Sequence, residues 1–255
     1  MEYKFSRKLA ELKPSAIREI FKSLTDPSII SFAAGNPAPE SFPVKELSCI
    51  SADIFENNST AALHYSITEG YPPLREAVAK RQKDRFGIGR DGDATLIVSG
   101  GQQGIELACK VFCNEGDTVI CENPSFIGSL NSFRSNGANV VGVDLDDDGI
   151  NIELLEEALR ARPEAKLLYV IPTFQNPTGI TTALEKRREI LRLAKKYDVV
   201  IVEDNPYGEL RFRGEDVPTI KSMDDEGRVI YCSSFSKILS AGMRVGFVIA
   251  DERII

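Results

Sequence analysis

The 255-residue sequence has a single histidine, His64, and five cysteines, Cys49, Cys109, Cys113, Cys121 and Cys232, no two of which form a C-x-x-C pair. A zinc site of the Cys/His kind therefore lacks its ligands, and any mechanism that needs two imidazoles is excluded. A Ser-His-Asp triad would have to use His64 in ALHYSITEG, yet the chain contains no G-x-S-x-G elbow. No apolar run approaches the roughly 20 residues that span a bilayer. The opening MEYKFSRKLAEL is amphipathic and charged, without the apolar centre of a signal peptide. Basic charge is also short: 31 Lys and Arg against 38 Asp and Glu leave a net charge of −7, which argues against nucleic acid as a partner. The expectation is a cytoplasmic protein, outside the membrane, with buried free thiols in a reducing compartment.

Three partial motifs fail on their missing halves. Ser99-Gly100-Gly101-Gln102-Gln103-Gly104 fits neither the P-loop nor the dinucleotide fingerprint, so ATP and NAD readings lose their support. Asp144 to Gly149 imitates the start of a calcium loop, but Leu155 stands where the bidentate Glu belongs. An acidic turn leading into a helix capped by Asn151 is expected there instead. Ser234 and Lys237 fit S-x-x-K, but S-D-N and K-T-G are both absent.

What is present is the composition of a globular protein, 42% hydrophobic and 27% charged. From about residue 94, short β-branched runs alternate with amphipathic stretches, the pattern of a mostly parallel sheet with helices on both faces. Seven strands are expected: Thr95 to Val98, Thr118 to Cys121, Val140 to Val143, Leu167 to Ile171, Val199 to Val202, Val229 to Cys232 and Val245 to Ile249. Helical spacing marks Gln103 to Phe112, Ile152 to Arg160 and Leu184 to Lys196. LLYVIP and VVIVED are apolar on both alternating faces, as central strands are. Earlier, helices at Pro14 to Ser23 and Pro72 to Phe86 flank a loop-rich stretch, SFAAGNPAPESFP.

Polar residues collect where strands end. Ser99 to Gly104 leads into a helix whose first backbone N–H groups are unpaired, which makes an anion site, most simply for phosphate. Later strands run into Asn176-Pro177-Thr178-Gly179, into Asp204-Asn205-Pro206-Tyr207, and into Ser234-Phe235-Ser236-Lys237 with Gly242-Met243-Arg244-Val245-Gly246 following. In an open parallel sheet these four loops should converge beyond the carboxyl ends of the strands.

In this order, N-P-T-G, D-x-x-Y, S-x-S-K and G-x-R-x-G resemble the fold-type I pyridoxal-phosphate enzymes, specifically the class I/II aminotransferases. SAIRE, FAAGNPAPESFP and YSITEGYPPLREAVA look most like the subgroup of α-aminoadipate, kynurenine and aromatic-amino-acid aminotransferases. The same module occurs fused to winged-helix regulators, and no such segment is expected here. The resemblance implies the large domain of that fold, a mostly parallel seven-stranded sheet with helices on both faces, plus the N-terminal part of a small domain. It divides the chain into an arm and small-domain segment at 1–45 and a cofactor-binding large domain at 46–255.

By this resemblance Lys237 would bind the aldehyde of pyridoxal 5′-phosphate as a Schiff base and carry a proton between substrate and cofactor. Burial and a cationic neighbour, Arg244, would lower its pKa. Asp204 would pair with the pyridine nitrogen, and Asn176 and Tyr207 would hydrogen-bond the phenolic oxygen. Taken alone, Asp204 also reads as a cap of the following turn, and Asn176 and Tyr207 as a turn residue and a half-buried aromatic. Phosphate would be held by the backbone amides of Gly101 and Gln102, the hydroxyls of Ser234 and Ser236, and Arg244. Many family members carry a hydroxyl residue where Gly101 stands. Phe126 would stack on the ring, and Tyr65 would reach the phosphate of a neighbouring subunit, which implies a homodimer. Gly35 would sit beside the substrate carboxylate, and Arg18 would meet a side-chain carboxylate; Arg18 reads equally as a solvated helix charge.

Relatives extend beyond the equivalent of Ile255, so the resemblance implies a C-terminally truncated chain without the arginine that binds the substrate α-carboxylate. The implied activity is amino-group transfer between an amino acid (aromatic, aminoadipate-like or broad) and a 2-oxo acid. The alternatives are another reaction of the same cofactor, such as a β-lyase or decarboxylase, and a non-catalytic cofactor-binding module.

Overall fold

Seven of the strands lie where the β-branched runs place them, to within a few residues at each end. The computed structural model describes residues 3–6, 8, 28, 35 and 37–255. The strands are β1 (Asp93–Val98), β2 (Thr118–Asn123), β3 (Asn139–Asp146), β4 (Gly149–Ile150), β5 (Leu167–Val170), β6 (Val200–Asp204), β7 (Val229–Ser234) and β8 (Gly246–Asp251). They form one sheet in the order β1-β8-β7-β6-β5-β2-β3-β4. The sheet has eight strands, not the expected seven. The addition is β4, two residues that turn back antiparallel on β3, pairing Leu145 with Ile150 and Asp146 with Gly149. A hairpin this short leaves no alternating run for a sequence pattern to register.

The pairings β2·β3, β2·β5, β5·β6 and β6·β7 are parallel, while β8 runs antiparallel to both β7 and β1. Antiparallel twice over, β1 points the same way as β7. The C-terminal ends of β1, β2, β5, β6 and β7 therefore share one edge of the sheet.

The helices after residue 43 are α1 (Val44–Asn57), α2 (Ser59–Leu63), α3 (Pro72–Phe86), α4 (Gly101–Phe112), α5 (Ile127–Ser135), α6 (Ile152–Ala161) and α7 (Leu184–Tyr197). α4 turns Ile105, Ala108 and Cys109 onto one face of the sheet, where Tyr169, Val202, Ile230 and Cys232 meet them. On the other face α6 and α7 bury Leu155, Leu159, Ile190 and Leu193 against Leu168, Val170 and Ile201. Each fully buried aliphatic side chain is worth about 1.5–3 kcal/mol, and the residues of β5 are all buried. That is the physical content of a run apolar on both faces. α4 approaches closely because residue 104 is glycine: a Cβ there would lie 2.6 Å from Val248 Cγ2.

Asn151 caps α6 as expected, its side chain accepting the Leu154 N–H at 2.9 Å. The acidic turn before it is neutralised by Lys186, whose Nζ lies 2.6 Å from Asp146 and 2.7 Å from Asp148. α3 spans Pro72–Phe86 as expected, with Pro at its first turn and Gly87 at φ +66° closing it. α1, which begins directly after the stretch read as loop-rich, buries no residue and leaves Ile50 and Phe55 exposed. The expected helix at Pro14 to Ser23 and Arg18 on it lie outside the described residues. Among the described residues no helix is long and apolar enough to cross a membrane.

Candidate active site

The shared strand edge opens into a cavity of about 1250 Å³. Gly101, Gln102, Phe126, Asn176, Asp204, Tyr207, Ser234, Ser236, Lys237, Arg244 and Gly35 all line it, so the four loops converge as the topology requires. Tyr65 does not line it; its side chain is fully exposed, just beyond α2.

One end of the cavity is made of backbone. Gly100, at φ +81°, precedes the first turn of α4, and a Cβ there would collide with the Arg244 guanidinium. Gly246 opens β8 opposite both Val98 and Ser234, and a Cβ on it would lie 2.6 Å from the Gly100 carbonyl carbon and 2.7 Å from the Gly101 nitrogen. These glycines let the α4 N-terminus, with its unpaired N–H groups and positive dipole end, lie against the β7–β8 turn. Ser234 sits at the end of β7, and its hydroxyl accepts the Ser236 N–H at 3.3 Å. Arg244, in the left-handed region at φ +55°, donates to the carbonyls of Ser99 and Ala241, each at 3.1 Å. The result is a concave cluster of N–H, hydroxyl and guanidinium donors, which suits a phosphate. A Cβ at Gly101 would meet nothing closer than 3.8 Å, so the position where relatives carry a hydroxyl has room for one.

The opposite end is made of buried side chains. Glu203 and Asp204 are adjacent carboxylates at the end of β6, and strand alternation sends them to opposite faces. Glu203 accepts the backbone N–H groups of Ile220 (3.0 Å) and Lys221 (2.7 Å). Asp204 faces the cavity and accepts the Tyr169 hydroxyl at 2.7 Å, while Tyr169 accepts the Ser129 hydroxyl at 2.8 Å. Burial pushes the Asp204 carboxyl up to about 6, and the bond from Tyr169 opposes that rise. Among the described residues the bond to the Asp204 side chain comes from the Tyr169 hydroxyl and none from a backbone N–H of the following turn, so the capping alternative fails.

Between the two ends, Asn176 donates to the Tyr207 hydroxyl at 3.2 Å, and burial first, then the Asp204 charge, raise the Tyr207 phenol. Phe126 precedes α5 with its ring against the first turn, where a Cβ on Gly128 would come within 2.6 Å of it. Lys237 lies in the tight turn Ser236–Ser240 and donates to the Gly35 carbonyl at 3.2 Å. Its ammonium is lowered by burial. The Arg244 guanidinium, expected to act on Lys237, is turned to the Ser99 and Ala241 carbonyls.

Two supports escaped the sequence reading. Tyr169 and Ser129 are buried in β5 and α5, where an aromatic and a small residue read as ordinary core. Gln175, beside Asn176, uses both ends of its amide: its nitrogen donates to Glu122 (3.2 Å) and the Pro124 carbonyl (2.8 Å), and its oxygen accepts from Thr178 N (3.0 Å) and Oγ1 (2.8 Å). It thus ties the Phe126 loop to the Asn176 loop. Burial pushes the Glu122 carboxyl up to about 7. The Q-N-P-T-G run held the one available signal for Gln175.

The chain is similar to known proteins over nearly its whole length. The family model for aminotransferase class I and II matches residues 27–255. Aromatic-amino-acid aminotransferase 1 of Thermococcus litoralis is 43% identical across 98% of the chain. The crystal structure of kynurenine aminotransferase from Pyrococcus horikoshii superposes with a TM-score of 0.91 at 40% identity, over 98% of this chain and 63% of that one. α-Aminoadipate aminotransferase from Thermus thermophilus, solved with N-(5′-phosphopyridoxyl)-L-leucine, gives 0.85 at 38% identity, over 98% of this chain and 62% of that one. The chain spans 61% of the length of the Thermococcus relative.

Proposed function

We propose, for a chain that belongs to the aminotransferase class I and II family, that it builds the pyridoxal-phosphate site of an enzyme moving an amino group between an amino acid (aromatic, aminoadipate-like or broad) and a 2-oxo acid. One observation carries this reading. A single cavity is lined by a lysine amine shifted toward its neutral form, a buried carboxylate, an amide–phenol pair and a glycine-floored helix N-terminus.

These residues fit the cofactor by donor chemistry. The Gly101 and Gln102 amides, Ser234, Ser236 and Arg244 would hold its phosphate; Phe126 would stack on its ring; Asn176 and Tyr207 would hydrogen-bond its phenolic oxygen. Asp204 would hold a proton at the ring nitrogen. When bound, the cofactor supplies an electron sink for the charge left at the substrate Cα as its proton departs. Lys237 is the amine that would anchor the cofactor covalently, and, its ammonium lowered by burial, it would take and return the proton at the substrate Cα. Gly35, whose carbonyl Lys237 reaches, lies beside the substrate carboxylate, and Arg18 is the proposed contact for a side-chain carboxylate. The exposed Tyr65 fits a role across a homodimer interface, toward the partner's phosphate. Residues 46–255 form the cofactor-binding large domain and 1–45 the arm and small-domain segment. Five free thiols support the cytoplasm as compartment.

The test is to incubate the chain with pyridoxal phosphate, reduce with borohydride and map the modified peptide by mass spectrometry. The expected label is on Lys237, absent in Lys237→Ala; scattered or missing modification would refute the site. A donor panel with 2-oxoglutarate then separates amino transfer, which yields new oxo acid over multiple turnovers, from a lyase, which releases ammonia or sulfide, and from a non-catalytic module, which binds without turnover.

A further inference from the structure

The hydroxyl chain behind Asp204 spans three elements without using solvent. Ser129 of α5, Tyr169 of β5 and Asp204 of β6 are all buried and linked by hydrogen bonds of 2.8 and 2.7 Å. The strand register explains how they meet. Tyr169 pairs with Val202, so Asp204, two residues on, lies diagonally across the same face, within reach of a phenol though not of a shorter side chain. The far side of the Tyr169 ring packs edge-on against Phe133, with centroids 5.4 Å apart. α5, which carries both Ser129 and Phe133, is itself tied to α4 by Gln102, whose side-chain nitrogen donates to the Gly128 carbonyl (3.1 Å) and the Ser132 hydroxyl (2.8 Å).

A phenol has one proton to give. Because an ionised carboxylate only accepts, Tyr169 must donate to Asp204, and its oxygen is left to accept from Ser129. The bond occupies Asp204 Oδ2, and among the described residues Oδ1 has no hydrogen-bond partner. We propose that Tyr169, held by Ser129, is a positioning residue that keeps Asp204 ionised and leaves Oδ1 for the ring nitrogen of the cofactor. This rests on the cofactor reading above.

Other groups facing Asp204 do not provide the same service. Cys232 from β7 and Tyr207 from the loop after β6 are pushed upward by burial and by the Asp204 charge, so they stay neutral, and Glu122 from β2, itself raised by burial and by the Asp204 charge, is a second acid that cannot offset it. A charged partner such as arginine at position 169 would also hold the carboxylate, but it would compete for the charge that a protonated ring nitrogen needs. A neutral donor stabilises the anion without cancelling it.

Tyr169→Phe keeps the ring and its packing and deletes only the hydroxyl. In the ligand-free chain, carboxyl-carbon NMR of Asp204 should show its titration moving up by about one unit. Pyridoxal-phosphate affinity should then weaken about fivefold at pH 6 and stay nearly unchanged at pH 8, since only the acid limb follows the Asp204 titration. Ser129→Ala should shift the same limb in the same direction by less, and it serves if Tyr169→Phe does not fold. An unmoved Asp204 titration, or an affinity loss equal at every pH, would overturn the proposal. Failure of wild-type protein to bind the cofactor would instead refute the functional reading, while the Asp204 titration in the ligand-free chain would still report on Tyr169.

Discussion

The two ends of the cleft are built from different materials. At the anion end the shape is set by backbone: glycines at 100 and 246 bring the α4 N-terminus against the β7–β8 turn, and the donors are N–H groups, serine hydroxyls and a guanidinium, none of which titrates near neutral pH. At the acid end it falls to buried side chains, Asp204, Tyr169 and Ser129, whose proton affinities depend on burial and on one another. The first end should therefore respond to volume and be indifferent to pH, and the second the reverse.

The largest effect expected is from Gly246→Ala. Its Cβ would press on the backbone of Gly100 and Gly101, which cannot swing aside as a side chain can. A loss of about 2–3 kcal/mol in urea unfolding is expected, together with loss of phosphate binding, and both should be equal at pH 6 and pH 8.

Asp204→Asn should act in the opposite sense on stability. Between the ordinary value of 3.8 and about 6, the folded chain retains a proton at Asp204 that the unfolded chain has released. Stability therefore falls as pH rises through that window, and the penalty is complete above about 6. Removing the charge should raise the stability of the ligand-free chain at pH 8 by on the order of 1–3 kcal/mol while weakening cofactor binding. Urea titrations at pH 5 and pH 8 check both the gain and the flattened slope. Some slope should remain, because Glu122, pushed to about 7 by burial, contributes with the same sign.

Gln175→Ala tests the region between the ends. It strips one donor from Glu122 and both bonds from Thr178, at an expected cost of about 1–2 kcal/mol, and should loosen Asn176 and Phe126 together, read as weaker cofactor binding. The smallest effect belongs to Gly101→Ser. With 3.8 Å of clearance, it should change stability by less than about 1 kcal/mol and tighten phosphate binding modestly by restoring a hydroxyl. The contrast with Gly246→Ala, at the neighbouring glycine in space, is the sharpest check on the backbone-built end.

Much of this was legible beforehand, for identifiable reasons. β5 and β6 announced themselves because strands covered on both faces carry apolar residues on both, as LLYV and VIV do, and α3 and α6 because Pro72, Gly87 and Asn151 are chemically suited to helix ends. The cavity residues were legible because they sit at strand ends, where polar residues interrupt apolar runs. β4 was not, being too short to carry a period. α1 was not either: with no buried residue, no core-facing stripe was there to find.

The sequence alone determined the strand-and-helix alternation and the position of Lys237, Asp204 and the glycines near strand ends. Those are properties of residue type and spacing. Tertiary structure decided which of two adjacent carboxylates faces the cavity, that the Arg244 guanidinium turns to the Ser99 and Ala241 carbonyls, and that Tyr169 and Ser129 stand behind Asp204. Each of these depends on distances between residues far apart in the chain, and such distances exist only once the strands have taken their register.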